Sequence, residues 1–430
     1  MVVARSTLRD PTLAPIREKV LASQRLSLED GLALYRTRDI FTLGELANTV
    51  RERLHGRVAY YNINRHINYT NYCVLRCKFC AFYRAPDGRT GGTPLANTPG
   101  YEYSLDEIVA AAGEAYERGA TEVHIVGGLH PKLPFNFYTD MCRAIRQRCP
   151  DIHIKAFTAI EIIHFTRISK PHKSIAEVLT ELREAGLNSL PGGGAEIFDD
   201  RVHDEAFRAK VGEKHWFDVH RSAHELGIPT NCTMLYGHVE RVEERVRHLI
   251  KLREQQDESL ARIQKSEVRS QKLEGGAAVN EPGALPADSD FLLVNSDFGR
   301  PAAFQCCIPL SFIPDGSALE HLPGPTGLDD LRTLAVARLM LDNIPHIKAF
   351  WIMQSPKLSQ VALNWGVDDF DGTVVWYDIT KREGRGTNHQ ELTVDQIQRL
   401  IREAGCIPVE RDSLYRPIAR DQSGRLIRFR

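Results

Sequence analysis

Apolar positions along this chain follow two periods in turn. Short runs rich in Val, Ile, Phe and Tyr predict strands at Val58–Asn64, Glu122–Gly127, His153–Phe157, Asn188–Leu190, Thr230–Tyr236, Phe304–Ser311, Ile347–Ile352 and Thr373–Tyr377. Between them apolar residues recur every three or four positions. This predicts amphipathic helices near Leu105–Arg118, Phe137–Arg148, Ile175–Ala185, Lys214–Leu226, Val242–Gln256, Leu328–Leu341, Leu358–Trp365 and Val394–Ala404. Three helices open on capping boxes: Ser104 with Glu107, Ser174 with Glu177, and Thr393 with Gln396. In each, the hydroxyl accepts from an unpaired backbone amide while the longer side chain reaches back. Four end on Gly119, Gly186, Gly227 and Gly405, where a left-handed closing residue is cheapest without a Cβ.

Strands separated by whole helices need crossover connections, so their sheet is mostly parallel. Seven or eight such units predict an α/β fold, a parallel (β/α) TIM-type barrel, full or nearly full. It would occupy residues 58–416, with a helical N-terminal extension at 1–57 and a tail at 417–430. Residues 260–301 break the rhythm, with a Gly-, Ala-, Pro- and Ser-rich middle of neither period. They read as a disordered insertion on the face opposite a barrel's active end. Ala85–Gly100 reads as a mobile loop.

Composition narrows the function class. The chain has 55 Lys plus Arg against 56 Asp plus Glu, without the basic excess of a nucleic-acid or anionic-membrane binder. No apolar run reaches the roughly 18 residues of a membrane span. The first twenty residues show no apolar stretch behind their basic ones, so a cytoplasmic location is expected.

Nine cysteines without an export signal do not point to disulfides. Six of them, Cys142, Cys149, Cys232, Cys306, Cys307 and Cys406, lie in apolar patterns and read as small buried hydrophobes. Cys73, Cys77 and Cys80 instead fall within eight residues as C-x3-C-x2-C, on a loop after the first strand. That is the end of a parallel barrel where catalytic groups gather. A structural zinc takes four closing ligands and a conventional ferredoxin cluster takes four cysteines. His66 or His130 could complete a zinc site. Alternatively, three thiolates on an iron–sulfur cube leave one iron open to a small chelator.

The loop Asn71-Tyr72-Cys73-Val74-Leu75-Arg76-Cys77-Lys78-Phe79-Cys80-Ala81-Phe82 resembles the signature of the radical S-adenosylmethionine enzymes. The segments TEVHIVGGLHPKLPFNFYTDM, HIKAFTAIEI, LNSLPGGGAEIFD and PVERDSLYR resemble members of that family acting in menaquinone synthesis. The resemblance implies a 4Fe-4S cluster on Cys73, Cys77 and Cys80, with S-adenosyl-L-methionine chelating the open iron and consumed as co-substrate. It implies an aromatic dicarboxylate, 3-[(1-carboxyvinyl)oxy]benzoate, as second substrate. A 5′-deoxyadenosyl radical would add to its enol-ether double bond and give aminodeoxyfutalosine. A reductant such as flavodoxin or ferredoxin is the implied partner. Dehypoxanthine futalosine cyclase and a deazaflavin synthase subunit are alternatives within the family; a non-enzymatic zinc or iron–sulfur module is the alternative outside it.

Around that loop, Phe79 offers an aromatic face for adenine. Gly127 and Gly128 close the second strand, where a missing Cβ lets a ligand approach the backbone; a tight turn is the plainer reading. Gly193, within Gly192-Gly193-Gly194, has the same two readings. Glu161 and Glu196 are candidates for the ribose hydroxyls or for proton transfer. The two substrate carboxylates need donors, and Arg65, His66, His130, Lys132 and Lys155 stand at predicted strand ends. Arg65 suits bidentate capture of one carboxylate. Glu196, His130 and Arg65 are the expected catalytic set; Phe79, Gly127, Gly128, Glu161 and Gly193 are the expected cofactor contacts.

Overall fold

β1 (Val58–Asn62) and β2 (Asn64–Ile67) run nearly end to end, interrupted at Ile63. In the computed structural model, residues 8–85, 99–273, 300–374, 377–379, 381–382, 385–386, 391–421 and 426–427 are described. β2 pairs in parallel with β3 (Glu122–Ile125), and β3 with β4 (His153–Ala156). β5 (Thr230–Tyr236), β6 (Phe304–Ser311) and β7 (His346–Ile347) form a second parallel set. β1 lies between β8 (Asp369–Gly372) and the strand Ile407–Glu410, parallel to both. Single bridges link the sets: Lys155 to Ser189, Leu190 to Thr230, and Lys348 to Asp369. The architecture is α/β, of the TIM type.

Helices α1 (Ala14–Leu21), α2 (Leu28–Arg36) and α3 (Ile40–His55) precede the first strand. α4 (Leu105–Glu117), α5 (Phe135–Arg148), α6 (Ala159–Ile168), α7 (Ile175–Glu184), α8 (Asp200–Ala206) and α9 (Glu213–Glu225) fill the connections up to β5. α10 (Val242–Leu273) and α11 (Gly327–Met340) follow. The three expected capping boxes are formed, and Gly119, Gly186, Gly227 and Gly405 all take positive φ. Among the described residues no helix is long and apolar enough to cross a membrane.

Several expected boundaries differ. α10 continues through Leu273, so the stretch expected to be irregular from 260 begins as helix. Arg262 pairs with Glu258 one turn earlier on this helix, at 3.7 Å. Residues 274–299, the rest of the expected insertion, and 86–98, most of the expected loop, lie outside the described residues. The strand expected at Ile347–Ile352 ends at Ile347, and Trp351–Gln354 is helical. The strand expected at Thr373–Tyr377 is instead β8, at Asp369–Gly372; Val375 and Trp376 lie outside the described residues.

The reason for the last miss is the chemistry of the inner face. Tyr61, which hydrogen-bonds Gln398 near the C-terminal helices, and Arg65, which pairs with Glu114 on α4, point toward the helices. Tyr60 and His66 point inward, where they meet other rings. Inward too lie three ion pairs: Glu122 with Lys155 at 2.6 Å, Lys348 with Asp371 at 2.7 Å, and Arg411 with Asp369 at 2.6 Å. A strand such as Asp-Phe-Asp-Gly is polar because it faces this interior.

At the starts of the strands, Asp368 accepts from His346 Nδ1 at 2.6 Å and from the buried Arg338. His55 stacks on His346, and His346 on Tyr415 with centroids 3.5 Å apart. This polar plug closes the end opposite the cysteine loop.

Candidate active site

The cysteine loop leaves the end of β2 and is held by backbone hydrogen bonds from several directions. Cys73 N–H donates to Arg84 O, Val74 N–H to Leu129 O, and Lys78 N–H to Ala206 O at the end of α8. Lys78 O in turn accepts from Ala318 N–H, and Cys80 N–H closes a turn on Cys77 O at 3.1 Å. The thiols are therefore positioned by parts of the chain far apart in sequence. Burial pushes the Cys73 thiol up to about 11 and the Cys77 thiol up to about 12, and raises that of Cys80. Neighbouring thiols push the same way for Cys73 and Cys77. Empty, the three are neutral; an electrophilic metal centre must displace their protons.

Gly127 and Gly128 follow β3 and dock directly against this loop. A Cβ on Gly128 would lie 2.2 Å from the Tyr72 carbonyl oxygen, and one on Gly127 would lie 2.6 Å from the Tyr69 ring. The bare faces of both glycines are thus filled by the chain leading into the cysteines. Gly128→Ala is expected to displace the loop, because the obstructing atom is backbone and cannot rotate away. Such overpacking costs about 1–3 kcal/mol, so S-adenosylmethionine affinity should fall about five- to hundredfold. Equilibrium binding on anaerobically reconstituted protein measures it.

Glu161 was expected at the cofactor, but the structure shows its carboxylate engaged by the protein. It is the N3 residue of a capping box with Thr158 at the start of α6. One oxygen accepts from Tyr69 Oη at 2.7 Å and from Gly127 N–H at 3.2 Å; the other accepts from Thr158 N–H at 2.7 Å. Burial lifts its pKa to about 7 against these donors. Its visible role is to tie the Gly127 turn to α6.

Glu196 does reach the cysteines' surroundings. It sits in left-handed backbone, φ 46°, and pairs with Lys210, both side chains nearly buried. The Lys210 ammonium lies 5.4 Å from the centroid of Phe79 and 5.8 Å from that of Phe207. Burial opposes its charge, but Glu196 and Cys77 outweigh burial and hold its pKa above the usual value. Phe79 also meets Phe207 edge-on at 5.9 Å and stacks near His238 at 6.4 Å. Lys210 was not anticipated: it lies outside every motif, 14 residues beyond Glu196, and only the α8 turn brings it back.

Of the other expected residues, His130 stands beside the cysteine loop, its ring 5.7 Å from that of Tyr72. Arg65 faces the helices and pairs with Glu114 at 2.7 Å, because β2 alternates and its neighbour His66 takes the inward position. His130 is buried in its own loop: Nε2 donates to Glu102 at 2.7 Å, and Nδ1 accepts from Lys132 and Leu133 N–H. Lys155 is held by Glu122, and Lys132 is exposed. Gly193 packs against Thr158 and accepts from Trp216 Nε1 at 3.4 Å. His66 remains on the inner face with His124 and Tyr377 around it.

The donor set fits an iron–sulfur cube better than zinc. Sulfurs on one tetrahedral zinc stand about 3.8 Å apart, given Zn–S bonds of about 2.3 Å. Among the described residues, only His55, His346 and Asp368 bring three candidate ligand atoms within 4.8 Å of one another. The three thiols are spread more widely. That histidine–aspartate group is also consumed by Arg338 and by Pro345 O, which His55 Nε2 meets at 2.8 Å.

Comparison with known proteins agrees with this geometry. Residues 67–252 match the Radical SAM superfamily, and residues 302–423 match the CofH/MqnC C-terminal region. The chain is 45% identical to aminodeoxyfutalosine synthase of Thermus thermophilus, covering 96% of this chain and 97% of that one. It is 38% identical to the enzyme of the same name in Streptomyces coelicolor, covering 95% and 94%. Cyclic dehypoxanthine futalosine synthase of Halalkalibacterium halodurans is 31% identical, covering 93% of each. Among solved structures, methylornithine synthase superposes with a TM-score of 0.63 at 16% identity, covering 91% of this chain and 97% of that one. The likeness in structure speaks for the fold alone.

Proposed function

This chain belongs to the radical SAM superfamily, and we propose that it joins the adenosyl group of S-adenosylmethionine to the enol-ether double bond of 3-[(1-carboxyvinyl)oxy]benzoate. The product is aminodeoxyfutalosine, a menaquinone precursor. What carries this reading is the cysteine loop, three thiols pinned beside Lys210 and Glu196 in a chain that matches aminodeoxyfutalosine synthases from end to end.

The cofactors are a 4Fe-4S cluster and S-adenosylmethionine. When bound, they supply one electron for reductive cleavage of the sulfonium and so a 5′-deoxyadenosyl radical. Cys73, Cys77 and Cys80 would hold the cluster, and with three protein thiolates it would have a position open to S-adenosylmethionine. Lys210 and Glu196 present one charge of each sign beside the thiols, as a zwitterionic amino-acid head requires. The Gly127–Gly128 backbone, fixed through Glu161, holds the cysteine loop in register. Inward-facing rings and closed ion pairs exclude water from the space below, so that a reactive carbon meets substrate first.

We read the linked parallel sets as one nearly full barrel beginning at Val58, with helices α1–α3 as an N-terminal extension to it. A small acidic reductase of the flavodoxin or ferredoxin kind would supply the electron.

The test is product analysis. Anaerobic protein, S-adenosylmethionine, reductant and the enol ether should yield a product that retains the adenosyl unit by mass spectrometry. Free 5′-deoxyadenosine without an adduct would instead fit hydrogen abstraction and remove this assignment.

A further inference from the structure

His66 is buried, 4% exposed, yet neither ring nitrogen has a hydrogen-bond partner in the protein. Leaving such a group unpaired is costly, which points to a ligand that completes it. The ring faces inward from β2. It lies 4.4 Å from His124 across the β2–β3 pair, 5.2 Å from Tyr377 edge-on, and 6.1 Å from Phe350. Tyr377 in turn feels Cys80, Asp371 and Glu196 electrostatically, so His66 lies on the cysteine side of the interior.

Of the five donors the sequence offers for the substrate carboxylates, Arg65 is engaged by Glu114, Lys155 by Glu122 and His130 by Glu102, and Lys132 is exposed. Arg65, though held by Glu114, leaves its Nε without a partner; His66 is the buried one of the five in which every side-chain polar atom is unengaged. The charged groups that face it are Asp371, Glu122, Lys348 and Lys155. Lys348 is paired with Asp371, and Lys155 with Glu122. The fixed charge around the ring is therefore balanced, and burial holds the imidazole neutral, its pKa pulled down to about 4. The unpartnered ring nitrogens offer an entering carboxylate an imidazole N–H donor.

We propose that His66 is a substrate-binding residue, donating a hydrogen bond to a carboxylate of the aromatic substrate, whose ring lies among Phe350, Tyr377 and His124. This rests on the function proposed above. The experiment measures binding of 3-[(1-carboxyvinyl)oxy]benzoate to anaerobic holoenzyme with its cluster oxidised, by equilibrium dialysis, for wild type, His66→Phe and His66→Gln. His66→Phe should bind the enol ether about ten- to hundredfold more weakly, while its iron content and S-adenosylmethionine binding match wild type. His66→Gln, which keeps an N–H donor, should recover most of the affinity. Unchanged enol-ether binding by His66→Phe overturns the proposal. So does an equal loss of S-adenosylmethionine binding, which would mark a structural role. If wild type binds the enol ether not at all, the assigned function fails first, and that outcome is distinct from either.

Discussion

Replacing Cys77 by alanine is expected to give a folded protein without an iron–sulfur cluster and without turnover. Cys77 is the most buried of the three thiols, 6% exposed, and its carbonyl closes the turn to Cys80. The cube needs all three thiolates, because its fourth iron is reserved for the cofactor. Cys77 belongs to the hydrophobic core, but the substitution removes only one sulfur from it and leaves Leu75 and Phe79 packed in place. The loop's hydrogen bonds to Leu129, Ala206 and Ala318 run through backbone, which the substitution leaves in place. Far-UV circular dichroism should therefore match wild type, while iron, acid-labile sulfide and cofactor cleavage are lost together. Cys142→Ala is the control. Cys142 is fully buried in α5, away from the loop, so that variant should lose some stability through its cavity and keep the cluster. Retained cluster and activity in Cys77→Ala would remove the thiol assignment.

Arg411→Met should be the most destabilising single change on the inner face. Arg411 donates to Asp369 at 3.0 and 2.6 Å and lies 4.2 Å over the Tyr415 ring. Removing one member of a buried pair strands the other, at a cost of about 3–5 kcal/mol. Burial raises the Asp369 carboxyl, but Arg411 and Lys348 outweigh it and hold the pKa below the usual value. That depressed pKa contributes stability above the ordinary Asp value of 3.8 and loses it as pH falls through the folded value. In the variant the depression weakens, because Arg411 no longer joins Lys348 and Tyr415 in opposing burial. The deficit against wild type should be full near neutrality and shrink on acidification, as the stranded carboxyl takes a proton. Chemical denaturation at several pH values checks both size and slope. A deficit independent of pH would mean that lost packing, not lost charge, is responsible.

Much of the scaffold was legible from local chemistry. Ser104, Ser174 and Thr393 with their partners three residues on marked helix starts, and the closing glycines marked ends, because capping is decided within one turn. The same logic applies to Thr158 and Glu161, whose capping box opens α6 and was not among those expected. β8 escaped because its aspartates are polar toward the interior, where Lys348 and Arg411 receive them. A pattern reading assumes that polar means solvent. Arg65, expected at the substrate, pairs instead with Glu114 on the helix side, since a one-residue step on β2 decides which side chain faces inward. Lys210 needed the tertiary path of α8. The three cysteines stand out in the sequence because they share one short loop, which the structure pins through its backbone.

The central claim is that this ligand set holds a cube with one iron open to S-adenosylmethionine. Electron paramagnetic resonance of the anaerobically reconstituted, reduced protein tests it most directly. The account predicts a reduced 4Fe-4S signal whose shape changes when S-adenosylmethionine is added. Tightly bound zinc without acid-labile sulfide, or a cluster signal indifferent to the cofactor, would contradict it.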